Sequence, residues 1–431
     1  MTPIEIGGAT LAAALALILV RVPVGLALGL AAFGGAASLL PLSAATSLMT
    51  RVPHEFAASW EFAAVPMFLA MGAIITRSEM ANGMILLAER ALARVPGGLA
   101  IATNFAGAGF GAASGSSLAT TVALGRMATP QMLRAGYDPG LATATTACAG
   151  TLAALIPPSI PLIVYGILAE QSVAKLFFAG IVPGLLTAFA YAAMIFLRVR
   201  ANPALAPRNV APPSEPVGWS VAAFPVIAAI ILGGIYGGIF SPGEAGAVGA
   251  LAAIALAFLQ PAFGWRKLVA SLLDAARQTA AILFVAIGAF MLTRTMALTG
   301  LPNALADLVE AWSVSPLLLV LGASLLFILL GMVLDPFGVM LLSVAVLLPA
   351  FERLGFDLIW MGIIIVKFIE IGLVTPPVGL NVFAAKSVAP PEIALTTIFR
   401  GVGWFLLAEL VVMALLFLFP GLTLWLPGLL L

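Results

Sequence analysis

A short polar cluster in an otherwise apolar stretch contains the residues best suited to bind a ligand. Ser114, Ser116 and Ser117 fall within seven residues, 111–117, that also include glycines. Hydroxyl and carbonyl oxygens suit a hard cation such as sodium, and glycines let backbone carbonyls turn toward an ion. Small residues are also common where two membrane helices pack closely. The cluster predicts a cation site, with a plain helix contact as the alternative.

A lone carboxylate marks a second break in apolar sequence. Asp335 precedes Pro336 and follows Gly331. A carboxylate inside a membrane is costly to bury and by default indicates a functional site. Asp before Pro is also a common helix N-cap. We expect Asp335 to be a cation ligand, a cap for the helix that begins at Pro336, or both.

Two double prolines, at 157–158 and 376–377, predict two further helix breaks. Adjacent prolines remove two backbone donors and clash with the preceding turn, so each helix must unwind there. Carbonyls at the end of the first half-helix suit a cation, and amides at the start of the second suit an anion. Ser159, Thr375 and Asn381 supply side-chain hydrogen bonds at these ends.

Other polar residues receive structural interpretations. Lys367 and Glu370 lie three residues apart on a predicted helix, so we expect them to neutralise each other as a salt pair. Residues 51–55 and Trp60 are typical of an interfacial helix or loop. The single histidine, His54, is assigned no chemistry.

The composition places these sites inside a membrane. Of the 431 residues, 62% are hydrophobic and only 9% are charged, whereas a soluble globular domain is about 25% charged. The 43 glycines and 30 prolines then indicate close helix contacts and broken helices. A net charge of +1 without a long basic run disfavours nucleic-acid partners. One cysteine and one histidine exclude an internal disulfide and a Cys/His metal cluster.

The apolar segments fall into two sets joined by a proline-rich linker. The first set occupies about residues 4–20, 22–41, 59–76, 97–133, 139–169 and 175–197. The second set occupies about residues 218–240, 243–260, 278–299, 315–350, 357–389 and 397–426. No Lys or Arg precedes the first segment, so we expect a transmembrane helix there, not a cleaved signal peptide. The predicted division is a first repeat at 1–200, a cytoplasmic linker at 201–216 and a second repeat at 217–431.

Landmarks in the two sets keep one spacing. Residues 134–138 (RAGYD) match 353–357 (RLGFD), since 353 − 134 = 219, and the double prolines agree, since 376 − 157 = 219. Pro130 and Pro349 are also 219 apart. A gap-free register over this length indicates an internal repeat.

The number of membrane crossings determines how the two halves are oriented. The segments 97–133 and 315–350 each turn at a polar tip, so we predict two re-entrant helical hairpins that do not cross. Segments 139–169 and 357–389 are the predicted discontinuous helices. Each half then crosses five times, which makes the repeat inverted. With the N-terminus outside, the positive-inside rule is obeyed, because most basic residues lie inside: Arg21, Arg77, Arg90, Arg94, Arg126, Arg134, Arg198, Arg200, Arg208, Arg266, Lys267, Arg277, Lys386 and Arg400.

Inverted repeats with broken helices are typical of secondary transporters. Five motifs together also resemble one family: 113–119 (ASGSSLA), 155–159 (LIPPS), 176–184 (LFFAGIVPG), 241–245 (SPGEA) and 370–381 (EIGLVTPPVGLN). Over nearly its whole length the chain resembles the large membrane subunit of tripartite ATP-independent periplasmic (TRAP) transporters, the DctM-like proteins. The resemblance implies a fold similar to that of the divalent anion:sodium symporters. In that fold an elevator-type transport domain slides against a scaffold.

The resemblance also implies a function and partners. The chain would import a small carboxylate-bearing solute across the bacterial inner membrane, driven by sodium, with both termini in the periplasm. It would work with a separate small DctQ-like membrane subunit and a periplasmic DctP-like substrate-binding protein. No cofactor is implied, sodium being the coupling ion. C4-dicarboxylates, sialic acid, 2-oxoacids and sugar acids are all compatible solutes.

Carried over to this sequence, the family pattern groups the candidate ligands. The first sodium site would take Ser114, Ser116, Gly150 and Thr151, and the second would take Gly331, Gly372 and Thr375. The substrate site would take Ser117, Ser159, Asp335 and Asn381.

Three alternatives remain open at the level of sequence. A stand-alone symporter or antiporter of the same superfamily would need no binding protein and would use Asp335 or Glu370 as a proton carrier. A channel or passive scaffold would transport without an ion gradient. An intramembrane enzyme is disfavoured, because no Ser/His, Cys/His or paired-carboxylate constellation is present.

Overall fold

The computed structural model of the chain describes residues 1–58, 60–78, 80–207, 220–311, 316–332 and 334–430, and in these residues the regular secondary structure is helical. The first half contains α1 (Pro3–Leu19), α2 (Val24–Leu39), α3 (Leu42–Ala57), α4 (Ala64–Arg77), α5 (Met80–Leu92), α6 (Gly98–Ser114), α7 (Ser117–Arg134), α8 (Pro139–Thr151), α9 (Ile160–Leu168) and α10 (Val173–Ala201). The second half contains α11 (Ser220–Tyr236), α12 (Pro242–Phe258), α13 (Trp265–Thr299), α14 (Leu301–Ala311), α15 (Pro316–Gly331), α16 (Pro336–Arg353), α17 (Leu358–Val374), α18 (Leu380–Val388), α19 (Leu395–Leu418) and α20 (Gly421–Leu430). The predicted all-α fold class is confirmed. From residue 208 onward, the predicted linker lies outside the described residues.

Among the described residues, three helices are long and apolar enough to cross a bilayer: α10, α13 and α19. Other apolar helices are shorter, such as the 17-residue helices α1 and α12. A helix of that length spans about 25 Å, slightly less than a hydrocarbon core of about 30 Å. The predicted count of five crossings per half, and the side on which each terminus lies, stay predictions.

Matched helices reproduce the internal repeat. The starts of α7 and α16 differ by 336 − 117 = 219, and the starts of α8 and α17 by 358 − 139 = 219. The starts of α9 and α18 differ by 380 − 160 = 220. The two halves therefore place a hairpin and a broken helix at equivalent positions, and their inversion across the membrane stays a prediction.

The repeated landmark at 134–138 is a helix stop followed by a helix start. Gly136 adopts φ +83°, and the amide of Tyr137 donates to the carbonyl of Met132 at 3.0 Å. This left-handed glycine and backward bond form a Schellman cap, which ends α7. Asp138 then caps α8 by accepting the amide hydrogen bond of Leu141 at 2.9 Å. Residues 355–357 repeat the arrangement between α16 and α17.

One element differs between the halves. Adding 219 to the ranges of α3 and α4 gives 261–276 and 283–296, and both ranges fall largely within the single 35-residue helix α13. The first half carries Pro53 and Pro66 in this region, whereas α13 contains no proline. Pro53 is contained within α3, whereas Pro66 lies in the first turn of α4, where a helix accommodates proline. The first half therefore begins a new helix at α4, where α13 continues.

Two groups of helices can be distinguished by their contacts. Helices α1, α2, α4, α12 and α13 pack on one another. A Cβ built on Gly288 would lie 2.2 Å from the carbonyl oxygen of Gly25, so α13 and α2 cross in backbone contact. The close helix contacts predicted from the glycine content are therefore present. A second group, α6, α7, α8, α18 and α19, encloses a separate apolar cluster that includes Leu141, Val382 and Phe405.

The polar stretch 51–55 lies on α3, an amphipathic helix. Arg51, His54 and Glu55 are exposed, whereas Val52 and Phe56 are buried. Such a helix suits a membrane surface, and its placement there stays a prediction.

Candidate binding site at the hairpin tips

The predicted polar cluster lies at the tip of hairpin 1, formed by α6 and α7. Helix α6 ends at Ser114 and α7 begins at Ser117, with Gly115 at φ +60° between them. Ser116 is the N-cap of α7 and accepts a hydrogen bond from the amide of Ala119 at 3.4 Å. Hydroxyl oxygens and the amide end of a helix dipole therefore converge on this tip.

This tip packs against the end of the broken helix α8. A Cβ built on Gly150 would lie 2.7 Å from the backbone oxygen of Ser117 and 2.0 Å from the hydroxyl of Thr121, so only glycine fits. Thr151, the last residue of α8, donates its hydroxyl to the carbonyl of Cys148 at 2.7 Å. A hydroxyl that donates keeps its oxygen lone pairs for a cation. The structure thus brings the hairpin tip and the α8 terminus together, and sodium ligation there stays a prediction.

Both predicted helix breaks occur at the double prolines. Helix α8 ends at Thr151 and α9 begins at Ile160, while α17 ends at Val374 and α18 begins at Leu380. Ser159 is the N-cap of α9 and is fully buried. Its hydroxyl donates to the carbonyl of residue 154 at 2.5 Å and accepts from the amide of residue 162 at 3.3 Å. Both hydrogen bonds of the Ser159 hydroxyl are to residues of the same broken helix. Its position therefore adds no support for a role in substrate binding.

Hairpin 2, formed by α15 and α16, turns at Asp335. The carboxylate accepts hydrogen bonds from the amides of Phe337 at 3.1 Å and Gly338 at 3.0 Å, both at Oδ1. The capping role predicted for Asp335 is confirmed. Ser116 and Asp335 are N-caps at equivalent positions of the two hairpins, since 335 − 116 = 219.

The tip of hairpin 2 packs against the end of α17. A Cβ built on Gly372 would lie 2.9 Å from the Cα atom of Gly331, so the two backbones touch. The amide of Gly379 donates to the carbonyl of Met332 at 3.3 Å and joins the tip to the helix break. Thr375 donates its hydroxyl to a carbonyl one turn earlier in α17 at 2.6 Å. The three residues of the predicted second sodium site therefore lie at one contact between a hairpin and a broken helix.

A buried hydrogen bond connects the two halves. The Ser117 hydroxyl donates to Oε1 of Glu370 at 2.8 Å, and Glu370 is only 3% exposed. Its other oxygen, Oε2, has no hydrogen-bond partner within the described ranges. Asn381 is fully buried, and neither of its amide atoms has a partner among the residues that the structure describes. Because unpartnered buried polar atoms are costly, the free atoms of Glu370 and Asn381 are suited to bind a ligand beside the hairpin tips.

The expected salt pair between Lys367 and Glu370 is wrong. The Lys367 ammonium instead forms an ion pair with Glu409 on α19 and donates to the Thr187 hydroxyl on α10 at 3.0 Å. The Tyr191 hydroxyl donates to the other Glu409 oxygen at 2.5 Å. Lys367 therefore contacts α10 and α19, whereas Glu370 contacts α7 of hairpin 1. Glu409 is a carboxylate within an apolar segment of the sequence. Its position could have identified it as a candidate partner for Lys367.

A cavity of about 620 Å³ lies between α7 of hairpin 1 and helices α4 and α13, whereas α6 of the same hairpin packs against α4. Its lining runs from Ser114 at the tip to Arg126 on α7, with Arg77 and Asp274 on the opposite wall. Ser117 and Glu370 are not part of the lining and are buried. A space of this size accommodates a small organic solute beside the hairpin tip.

The donor set is made of oxygens. Within the described ranges, no group of three or more His, Cys, Asp or Glu side chains lies close enough to hold a metal ion. Hydroxyl, carbonyl and carboxylate oxygens are present at both tips, as a hard monovalent cation prefers.

Comparison with known proteins gives one consistent result. Residues 11–422 match the family model described as tripartite ATP-independent periplasmic transporter, DctM component. A C4-dicarboxylate TRAP transporter large permease protein from Pseudomonas aeruginosa is 34% identical over 371 residues, covering 85% of this chain and 86% of that protein. An ectoine/5-hydroxyectoine TRAP transporter large permease protein from Ruegeria pomeroyi is 35% identical over 382 residues, covering 85% and 86%.

A solved transporter structure shares the fold. The YdaH transporter of Alcanivorax borkumensis superposes with a TM-score of 0.68 at 16% sequence identity, covering 89% of this chain and 90% of that one. This likeness shows a common architecture over nearly the whole chain.

Proposed function

The chain belongs to the DctM component family of tripartite ATP-independent periplasmic transporters, and from this premise we propose that it imports a small carboxylate-bearing solute in symport with sodium. It is an integral membrane permease subunit and not an enzyme, as its relatives' names indicate. The proposal adds the ion, the class of solute and the direction of transport.

The paired hairpin tips carry this proposal. Each half supplies a hairpin whose tip touches the end of a broken helix, at Gly150 in the first half and at Gly372 in the second. At each contact a glycine without a Cβ lets the two segments approach closely, and hydroxyl and carbonyl oxygens lie beside it. Broken helices at matching positions of a repeat are typical of the binding sites of secondary transporters. Two such contacts suit two sodium ions, with the solute between them near Ser117 and Asn381.

An elevator movement is the proposed mechanism. The cavity lies between α7 of hairpin 1 and helices α4 and α13 of the first helix group, and α6 packs against α4 alongside it. We assign that group to a fixed scaffold and the hairpins with α8, α9, α17 and α18 to the sliding transport domain. Glu370 joins the halves of the transport domain through Ser117, so the two half-sites would move together.

Family membership supports the proposed solute class and partners. The relatives are named for C4-dicarboxylate and for ectoine transport, and ectoine also carries a carboxylate. The family's name describes a tripartite system, so we propose a small membrane subunit and a periplasmic substrate-binding protein as partners. We place the complex in the bacterial inner membrane with both termini of this chain in the periplasm.

Sodium is expected to stabilise the purified protein against unfolding, relative to potassium at equal ionic strength. A ligand that binds only the folded state at a hundred times its dissociation constant adds about 2.7 kcal/mol. The measurement is thermal unfolding in detergent across a sodium titration. Ser114→Ala removes a tip hydroxyl and is expected to weaken the sodium effect.

Ser38→Ala is the matched control, because among the described residues that hydroxyl donates within α2, to the carbonyl of Gly34 at 2.8 Å. Equal stability in sodium and potassium would contradict the proposed ion. An unchanged sodium response in Ser114→Ala would contradict the proposed location of the first site.

A further inference from the structure

The cavity beside hairpin 1 has walls of different character along its length. Near the tip it is lined by Ser114 and by small residues of α7 such as Ala119 and Ala123. Farther from the tip it is lined by Arg126, Arg77, Asp274 and Gln278. Arg126 lies nine residues into α7, so about 14 Å of helix separates it from the tip. The charged end is thus well away from both proposed sodium contacts.

The charges of this end do not cancel. Arg77 on α4 and Asp274 on α13 form an ion pair across one wall. Arg126 is exposed, and within the described residues it has no ion-pair partner. Two cations and one anion leave a net charge of +1, carried by Arg126 on the hairpin. A cleft with one sign of charge between low-dielectric walls attracts ions of the opposite sign.

We propose that Arg126 creates a second, weak anion site in this cavity for small carboxylates, distinct from the site at the tips. The inference rests on the proposed function and adds that the cavity is the path by which solute leaves toward the cytoplasm. Arginine binds a carboxylate through two parallel hydrogen bonds, and the amide of Gln278 adds a donor on the facing wall. The Arg77–Asp274 pair holds the opposite wall neutral, so the anion is drawn to the hairpin side.

The test uses a reporter cysteine in the full chain reconstituted in nanodiscs. The one native cysteine, Cys148, is fully buried, and replacing it with alanine gives a silent background. Ala123→Cys places a thiol one helical turn from Arg126 on the cavity wall. Its reaction rates with anionic ethylsulfonate and cationic ethyltrimethylammonium methanethiosulfonates are compared. The ratio of the two rates cancels any change in the thiolate fraction.

Arg126→Gln is expected to lower the anionic-to-cationic rate ratio by about tenfold, as a unit charge one turn away acts oppositely on the two reagents. Arg126→Lys, which keeps the charge, should keep the ratio. Arg134→Gln is the matched control, because Arg134 is an exposed arginine of the same helix outside the cavity lining. Its ratio should change less than about twofold, the distance exceeding a Debye length of about 10 Å.

Binding itself is tested with succinate as the probe. Millimolar succinate should slow the anionic reagent at Ala123→Cys, and Arg126→Gln should remove this protection whereas Arg134→Gln retains it. An unchanged rate ratio in Arg126→Gln, or no protection by succinate in the Ala123→Cys parent, would overturn the inference. Neither readout uses sodium or uptake, so a failure of the proposed symport would be seen separately.

Discussion

Replacing Lys367 with methionine is expected to destabilise the folded protein by about 3–5 kcal/mol, the cost of leaving a buried carboxylate without its cation. Lys367 is 1% exposed, and its ammonium neutralises Glu409 between α17 and α19. Without it, Glu409 keeps only the hydroxyl of Tyr191 as a partner among the hydrogen bonds described here. The free energy of unfolding, measured by denaturant titration in detergent, should report the loss.

Lys367→Met combined with Glu409→Gln should recover more than half of that loss. The neutral amide removes the uncompensated charge, and its oxygen still accepts the Tyr191 hydrogen bond. Arg353→Met is the matched control, because the Arg353–Asp307 pair is exposed and such pairs contribute about 0–1 kcal/mol. A single variant as stable as the parent, or a double variant no better than the single one, would contradict the assigned ion pair.

Gly372→Ala is expected to reduce uptake by about fivefold or more. The added Cβ would lie 2.9 Å from both the Gly331 Cα and the carbonyl oxygen of Ile328, so α17 and hairpin 2 must separate. Overpacking of this kind costs about 1–3 kcal/mol, and each 1.4 kcal/mol is about tenfold in affinity. Because the contact forms the proposed second sodium site, the sodium concentration for half-maximal uptake should rise.

Alanine substitutions at two further glycines should affect uptake to different extents. Gly331→Ala meets the backbone of α17 at 3.1 Å and should be milder. Gly322→Ala, on the same helix α15, meets nothing within 4 Å and should behave as the parent. Gly372→Ala with normal sodium dependence, or Gly322→Ala with an equal defect, would show that this contact does not bind the ion.

Features set by local sequence were predictable. Gly136 and Asp138 define a helix stop and start through hydrogen bonds within a few residues, so the landmark that they form recurs at one spacing in both halves. The double prolines break their helices wherever those helices pack. Asp335 acts as a cap because Pro336 follows it. Each of these features depends only on residues that are adjacent in the sequence.

Partners distant in sequence were not predictable in the same way. Lys367 and Glu370 are three residues apart, yet their partners are Glu409 and Ser117, which lie 42 residues after one and 253 residues before the other. Which neighbour each side chain meets depends on how α10, α19 and hairpin 1 pack around α17. The constant spacing of the two hairpins therefore predicted where the site lies. The hydrogen bond between Glu370 and Ser117 could be found only from the packed structure.

Uptake of labelled solute into proteoliposomes is the most direct test of sodium-coupled import by this protein. The vesicles contain this chain with the proposed small membrane subunit, and the solute is supplied on the proposed periplasmic binding protein. We predict uptake above equilibrium when sodium is high outside and low inside, and its loss when potassium replaces sodium or either partner is omitted. Equal uptake without sodium would contradict the proposed symport.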